Sequence, residues 1–346
     1  MKKILIPLLL LCVLSACSTE EKSQRQAANG IYYWRTTFQV SEYEQEFLRE
    51  QHIKRLYLHL FDIDIQQDRN GQAQPSPIAS IQFRDSANLA STMALVEECV
   101  PTVFITLPAL KAMQEDRSMY CQKLSKRILN MCSYHGLRDK VKEVQLDCDW
   151  TQSTEQMYFD FLREMRELLR EEGIQLSVTV RLHQLRTAEP PVDRGVLMIY
   201  NTGSIKHPGT KNSILSYEDV EPYLRNFSYQ LPLDYAFPVY EWGVCFRNKE
   251  FLAILREPDY DNTRLYDTED GVHYKVMRWH RCEEKYIWED DEIRREQSDF
   301  ATIERIKRML PYRKGTSIIL YHLDESHLKN FSKYEKNSLY NRPCVQ

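Results

Sequence analysis

The chain has 346 residues, 42% of them hydrophobic and 11% aromatic, enough to bury a sizeable core. Its 46 basic and 50 acidic side chains leave a formal charge of −4, and no Lys/Arg run makes one face basic, which argues against nucleic acid as a partner. Nine scattered cysteines without a Cys-x-x-Cys pair argue against a zinc centre.

The first segment, 1–16, reads as a leader rather than as fold. Lys2 and Lys3 precede the short apolar run Ile4 to Val13, and Leu14-Ser15-Ala16-Cys17 matches a bacterial lipoprotein cleavage box. The run is too short for a permanent membrane span. Cleavage would leave Cys17 as the lipidated N-terminus, followed by a polar tether, 17–29, and one domain, 30–340. The expected protein is soluble apart from its lipid anchor in the membrane, and monomeric. Glu20-Glu21-Lys22 resembles the surface-export signals of Bacteroides-type lipoproteins. It places the chain at the bacterial cell envelope, on the outer membrane. Cys99, Cys121, Cys132, Cys148, Cys245 and Cys282 fall mostly in apolar patterns and are expected, with Cys344, to be free thiols.

From Gly30 onward, short apolar runs alternate with amphipathic ones. The strands expected are Gly30–Phe38, Arg55–Ile63, Thr102–Leu107, Glu143–Asp149, Gln175–Leu182, Val196–Asn201, Tyr235–Glu241 and Ser317–Leu323. The helices expected are Ser41–Gln51, Ser86–Glu98, Ser118–His135, Thr154–Glu172, Ser216–Phe227 and Ser298–Leu310, with Ser118 and Ser298 as N-caps and Gly173 as a stop. Eight strands alternating with helices predict an α/β fold, a (β/α)₈ TIM barrel. An open doubly wound sheet is the second choice, but no Gly-x-Gly-x-x-Gly follows a strand. The polar stretch Gln66–Phe83 reads as a long loop. The stretch 247–297 reads as an insertion between the seventh and eighth strands, with Phe251–Leu255 and His273–Trp279 paired as a hairpin.

Barrel catalysis sits at the C-terminal strand ends. The first strand delivers Trp34 and Arg35 there, the second Asp62 and Asp64, the fourth Asp147, Asp149 and Trp150, and the fifth Arg181 and His183. The sixth delivers Tyr200 and Asn201, the seventh Tyr240, Glu241 and Trp242, and the eighth Tyr321, His322 and Asp324. Alternation along Val144–Asp149 puts Asp147 and Asp149 on one face, where two carboxylates repel unless a site uses them. Acids, amides and aromatics at one mouth suit a carbohydrate: rings stack on sugars, and carboxylates bond hydroxyls or move protons. Each Asp, taken alone, is better explained as a helix cap or loop anchor, Asp62 and Asp64 among them. His183 and His322 with Asp147 and Asp149 have no ligand spacing that would support a metal, and nothing calls for a cofactor. In the insertion, Tyr260, Tyr266, Tyr274, Trp279 and Trp288 are either sugar platforms or the insertion's own small core.

Leu146-Asp147-Cys148-Asp149-Trp150, with Met198-Ile199-Tyr200-Asn201 two strands later, resembles the chitinase-type (family eighteen) glycoside hydrolases, which carry Asp-x-Asp-x-Glu and Met-x-Tyr-Asp/Asn at these strand ends. The resemblance implies that Asp149 orients the substrate's acetamido group, that Asp147 supports it, and that Tyr200 with Asn201 holds the reacting sugar. The family's proton donor is Glu; here it is Thr151, which cannot act as an acid near neutral pH. Over most of its length the chain also resembles Bacteroides-type lipoproteins with glycoside-hydrolase-like barrels. Two readings are open. In one, Glu241 is a nucleophile, as in retaining enzymes of another barrel clan, and Asp149 is the acid, the two about 5–10 Å apart. In the other, the barrel binds a glycan or oligosaccharide without cutting it, and Glu241 forms an ion pair with Arg181 or Arg35. A structural envelope protein whose barrel mouth meets a partner is a third class.

Overall fold

The computed structural model describes residues 25–343 apart from Arg69; the leader, Cys17 and Cys344 lie outside them. Eight parallel strands close into a barrel: β1 Asn29–Tyr33, β2 Ile53–Gln67, β3 Glu98–Ile105, β4 Glu143–Asp147, β5 Gln175–Arg181, β6 Arg194–Met198, β7 Leu233–Pro238 and β8 Ile318–Tyr321. Each pairs with the next, and β8 pairs back onto β1 with Gly30 opposite Ile319. This is the expected (β/α)₈ barrel.

Helices cover the outside because their apolar stripes match the outer faces of the strands. In Glu155–Glu171 the buried set includes Tyr158, Phe161, Leu162, Met165 and Leu169, at helical spacing. Gly173, at φ +70°, ends this helix in a conformation that a Cβ would oppose. Two expected caps are corrected. Asp116 precedes the helix Arg117–Tyr134, and Ser118 instead donates to Glu164 at 2.8 Å. Asp299 caps Phe300–Lys307 by accepting from the Thr302 N–H at 2.7 Å, and Ser298 donates to the Tyr240 carbonyl. The six cysteines among the described residues are buried and free.

Several strand ends also differ. β1, β6 and β7 stop earlier than expected, so Trp34, Tyr200 and Glu241 lie beyond them. The stretch after Ile63 is not a loop. β2 runs on to Gln67, and Ala73–Ile78 returns antiparallel to it, with Asp62 opposite Ile78. The insertion begins earlier, at Glu241, and its five-stranded sheet runs in the order Glu250–Leu255, Glu241–Arg247, Glu292–Gln297, His273–Val276, Tyr266–Thr268. Phe251–Leu255 and His273–Val276 are therefore not a hairpin; two strands separate them.

The barrel interior is layered. Tyr32, Tyr57, Val100, Val196, Met198, Ala236 and Ile319 form an apolar middle. Below them the floor is ionic. Arg25, expected in the tether, enters the base, 2.7 Å from Asp234, 3.0 Å from Glu143 and 3.1 Å from the Tyr57 hydroxyl. Arg55 donates to Ser317 and to the Gln26 carbonyl. Asp234 and Glu143 are buried, so removing Arg25 strips both of a partner. We expect Arg25→Ala to lose about 3–5 kcal/mol of unfolding free energy, measured by urea denaturation at pH 7. A loss below about 1 kcal/mol would show that Arg25 is not part of the folded base.

Candidate functional site

The C-terminal strand ends open into a cleft of about 810 Å³. Of the candidates, Trp34, Arg35, Asp147, Arg181, Tyr200, Asn201, Tyr240, Glu241, Trp242 and Tyr321 all line it. Asp149 lines an adjoining pocket of about 320 Å³ with His183 and Tyr223.

Arg181, the last residue of β5, lies between the two aspartates. Its Nε donates to Asp149 at 2.7 Å and its Nη2 to Asp147 at 3.1 Å. The Thr179 hydroxyl adds a 2.5 Å bond to the same Asp147 oxygen. Asp147 is buried and Asp149 is exposed, because β4 ends at Asp147 and the alternation ends with it. Burial raises the Asp147 pKa, with Arg181 and Thr179 opposing. Burial works to lower the Arg181 pKa, but the two carboxylates outweigh it and hold the guanidinium above its usual range. Its Nη1 is buried without a partner.

Aromatic rings form the wall. Tyr200 stacks on Tyr321, centroids 4.9 Å apart, and Trp34 stacks on His59 at 4.3 Å. The Tyr240 hydroxyl donates to Asn201 at 2.7 Å, and the Trp242 indole to Glu296 at 2.8 Å. Asn201 sits at φ +53°, and its N–H reaches the Ile214 carbonyl. Arg35 pairs with Glu44 at 2.5 Å and Asp324 at 3.3 Å, which fixes it at the rim.

Three expectations fail. Trp150 is no sugar platform: it is fully buried against Tyr158 and Phe159, under the helix that comes after β4. Glu241 does not end the seventh strand. It opens the insertion's sheet and pairs with Arg295 of a neighbouring insertion strand at 2.8 Å, not with Arg181 or Arg35. Asp64 accepts from Thr106, away from the cleft. Thr151 is exposed and faces its own turn, its hydroxyl 3.0 Å from that of Ser153. Sequence reasoning missed His59, which accompanies Asp62 at 2.7 Å, along with Arg256, Glu257 and His327. His59 was findable, since it shares the inward phase of Arg55 and Tyr57; the other three reach the cleft only through the tertiary fold.

His322, Asp324 and His327, which line the same cleft, bring ligand atoms within 4.8 Å of one another, a group that includes neither Asp147 nor Asp149. They fit a cation poorly. One Asp324 oxygen accepts from the Ser326 N–H and hydroxyl, and the other faces the Arg35 guanidinium.

No protein-family model matches the chain, and no curated relative does. Solved structures do. A chitinase from Chromobacterium violaceum superposes with a TM-score of 0.56 at 11% identity, over 91% of this chain and 100% of that one. The chain shares a (β/α)₈ barrel fold with that enzyme. A class V chitinase from Nicotiana tobaccum, seen with NAG4, aligns over 91% of this chain and 97% of that one, with TM-score 0.52 and 11% identity. A chitinase-like agglutinin from Robinia pseudoacacia aligns over 90% and 97%, with TM-score 0.50 and 12% identity.

His322 carries a pH signature. Burial pushes its pKa down to about 4, with Asp324 pulling the other way. The folded state therefore binds fewer protons than the unfolded chain between pH 6.5 and 4, and folding weakens as pH falls through that window, by at most about 3 kcal/mol. His322→Gln should flatten the stability–pH curve over this range relative to the wild type. Superimposable slopes would rule out a buried neutral imidazole.

Proposed function

We propose that this protein binds a glycan at the barrel mouth and does not cleave it. The observation that carries this reading is the grip of Arg181 on Asp147 and Asp149, with Thr151 turned into its own loop. A glycosidase needs a carboxylic acid poised to give a proton to the leaving oxygen. Here Thr179 and Arg181 both donate into Asp147, a role that an ionised carboxylate fills best, and Glu241 is joined to Arg295. What remains suits holding sugar: the Tyr200–Tyr321 stack, Trp34 and Trp242 as flat surfaces, and Asn201, Arg35 and Asp62 as hydroxyl partners. A neighbour of this fold binds NAG4, and another is named an agglutinin, so oligomers of N-acetylglucosamine are the first ligands to try.

Calorimetry with NAG4 should show binding, and chromatography of the same mixture should show intact tetramer. Trp34→Ala should weaken binding at least tenfold (about 1.4 kcal/mol), as loss of an aromatic anchor does. Shortened sugars would restore the enzyme reading. A broad glycan array without a single ligand would favour a protein partner at the mouth.

We further propose that lipid on Cys17 holds the protein at the bacterial cell envelope, on the outer membrane. Arg25 is seated in the barrel base, and eight residues reach at most about 28 Å. The base then faces the bilayer, and the glycan cleft, at the opposite end of the strands, faces away from it. Cys17→Ser should move the protein from the membrane to the soluble fraction. Unchanged membrane retention would dismiss the lipid anchor.

A further inference from the structure

The insertion's aromatics fall into two groups. Tyr260, Tyr266 and Tyr274 pack into its core, whereas Trp279 and Trp288 are 69% and 57% exposed, joined by Tyr286 at 63%. These three belong to the hairpin His280–Cys282 with Lys285–Ile287, where Arg281 lies opposite Tyr286. Cys282 and Ile287 face the core, so alternation turns Arg281 and Tyr286 outward, and Trp279 and Trp288, one step beyond the paired residues, continue that outer face.

This face is held in place. The Trp288 N–H donates to Asp291 at 2.8 Å, and Arg247, paired with Asp291 at 2.7 Å, lies over the Trp288 ring at 5.9 Å. At the turn, the Glu283 carboxylate accepts from the backbone N–H groups of Arg256 and Glu257, two residues that line the cleft. The hairpin is thus fastened to the cleft wall. Three large rings left in water on a fixed support mark a contact surface.

The charges around the rings choose among ligands. Lys275 with Asp290 and Arg281 with Glu284 form exposed pairs within this surface. The core of a protein interface is depleted of such charges. Lys275, Arg278, Arg281 and Lys285 are balanced by Glu283, Glu284, Glu289 and Asp290, so the face offers an anionic bilayer no excess positive charge. A neutral polysaccharide satisfies both groups, with C–H faces on the rings and hydroxyls on the charged side chains.

We propose that the Trp279–Tyr286–Trp288 face is a second glycan contact, which makes the ligand of this protein a long polysaccharide chain rather than a short oligosaccharide. The inference rests on the glycan-binding reading of the cleft and extends it. Two linked contacts raise retention on a polymer without changing affinity for a ligand that fills only one.

The test compares the full-length protein with its W279A/Y286A/W288A variant on two probes, soluble NAG4 and insoluble chitin. The variant should bind NAG4 within twofold of wild type and hold chitin at least tenfold more weakly. Equal retention of both proteins on chitin would overturn the second contact while leaving the cleft intact. Equal loss on NAG4 would also overturn it, by making the hairpin part of the cleft. A cleft failure looks different: neither protein binds NAG4. Wild-type protein that is retained on none of chitin, cellulose and peptidoglycan would refute the polysaccharide ligand. Ring-dependent binding to phosphatidylglycerol vesicles, or ring-dependent self-association in sedimentation, would reassign the face to a membrane or to a second copy.

Discussion

One guanidinium organises the mouth of this barrel. Asp147 ends β4 in a buried position, and a buried carboxylate without a partner would take up a proton or destabilise the fold. Arg181 ends the adjacent strand, and the parallel register that sets Leu146 beside Val178 delivers it to Asp147. The same side chain then reaches Asp149, just beyond the end of the strand. Two acids that would repel each other become a three-membered ionic group, and the Tyr200–Tyr321 stack lies close enough for its hydroxyls to feel those charges.

The barrel base repeats this solution at its other end. Arg25 sits between Glu143 and Asp234 much as Arg181 sits between Asp147 and Asp149. An apolar layer around Tyr32 and Tyr57 separates the two ionic groups; within it the Tyr32 hydroxyl donates to Gln145 at 2.6 Å, and the Tyr57 hydroxyl accepts from Arg25 below. A closed barrel has no sheet edge to satisfy, so its remaining electrostatic task is to pair the charges that cap its interior.

These arrangements explain how much the sequence could show. Strand phase was legible, because period-two alternation on closed parallel strands survives any detail of packing. Asp147, Arg181, Tyr200 and Tyr321 were therefore found as mouth residues. Strand length was not legible, since it depends on how the chain packs beyond the strand. Trp150 reads as part of the mouth by proximity, yet the helix behind β4 offers Tyr158 and Phe159, and burial there outweighs exposure to the cleft. Glu241 reads as a strand end, but the chain has already crossed into another sheet, where Glu241 lies opposite Gln297 and its carboxylate meets Arg295 on the diagonal. The Asp-x-Asp pattern was visible, and so was Arg181 at the end of the next strand; that one guanidinium bonds both aspartates was not, because it depends on the register and on where β4 stops.

Binding and cutting make opposite demands on such a site. Cutting needs a carboxyl that is still protonated near neutral pH and aimed at the leaving oxygen. Holding sugar needs fixed donors, acceptors and flat apolar faces, since each group ordered in advance lowers the entropy lost on association. In this mouth Arg35, Asp147, Asp149, Glu241 and Asp324 are each fixed by an opposite charge, and Trp242, Tyr240 and Asn201 by hydrogen bonds. A carboxylate released from such a network to serve as an acid would leave a guanidinium unpaired beside it. The pairing that stabilises the mouth is therefore the same feature that withholds the proton.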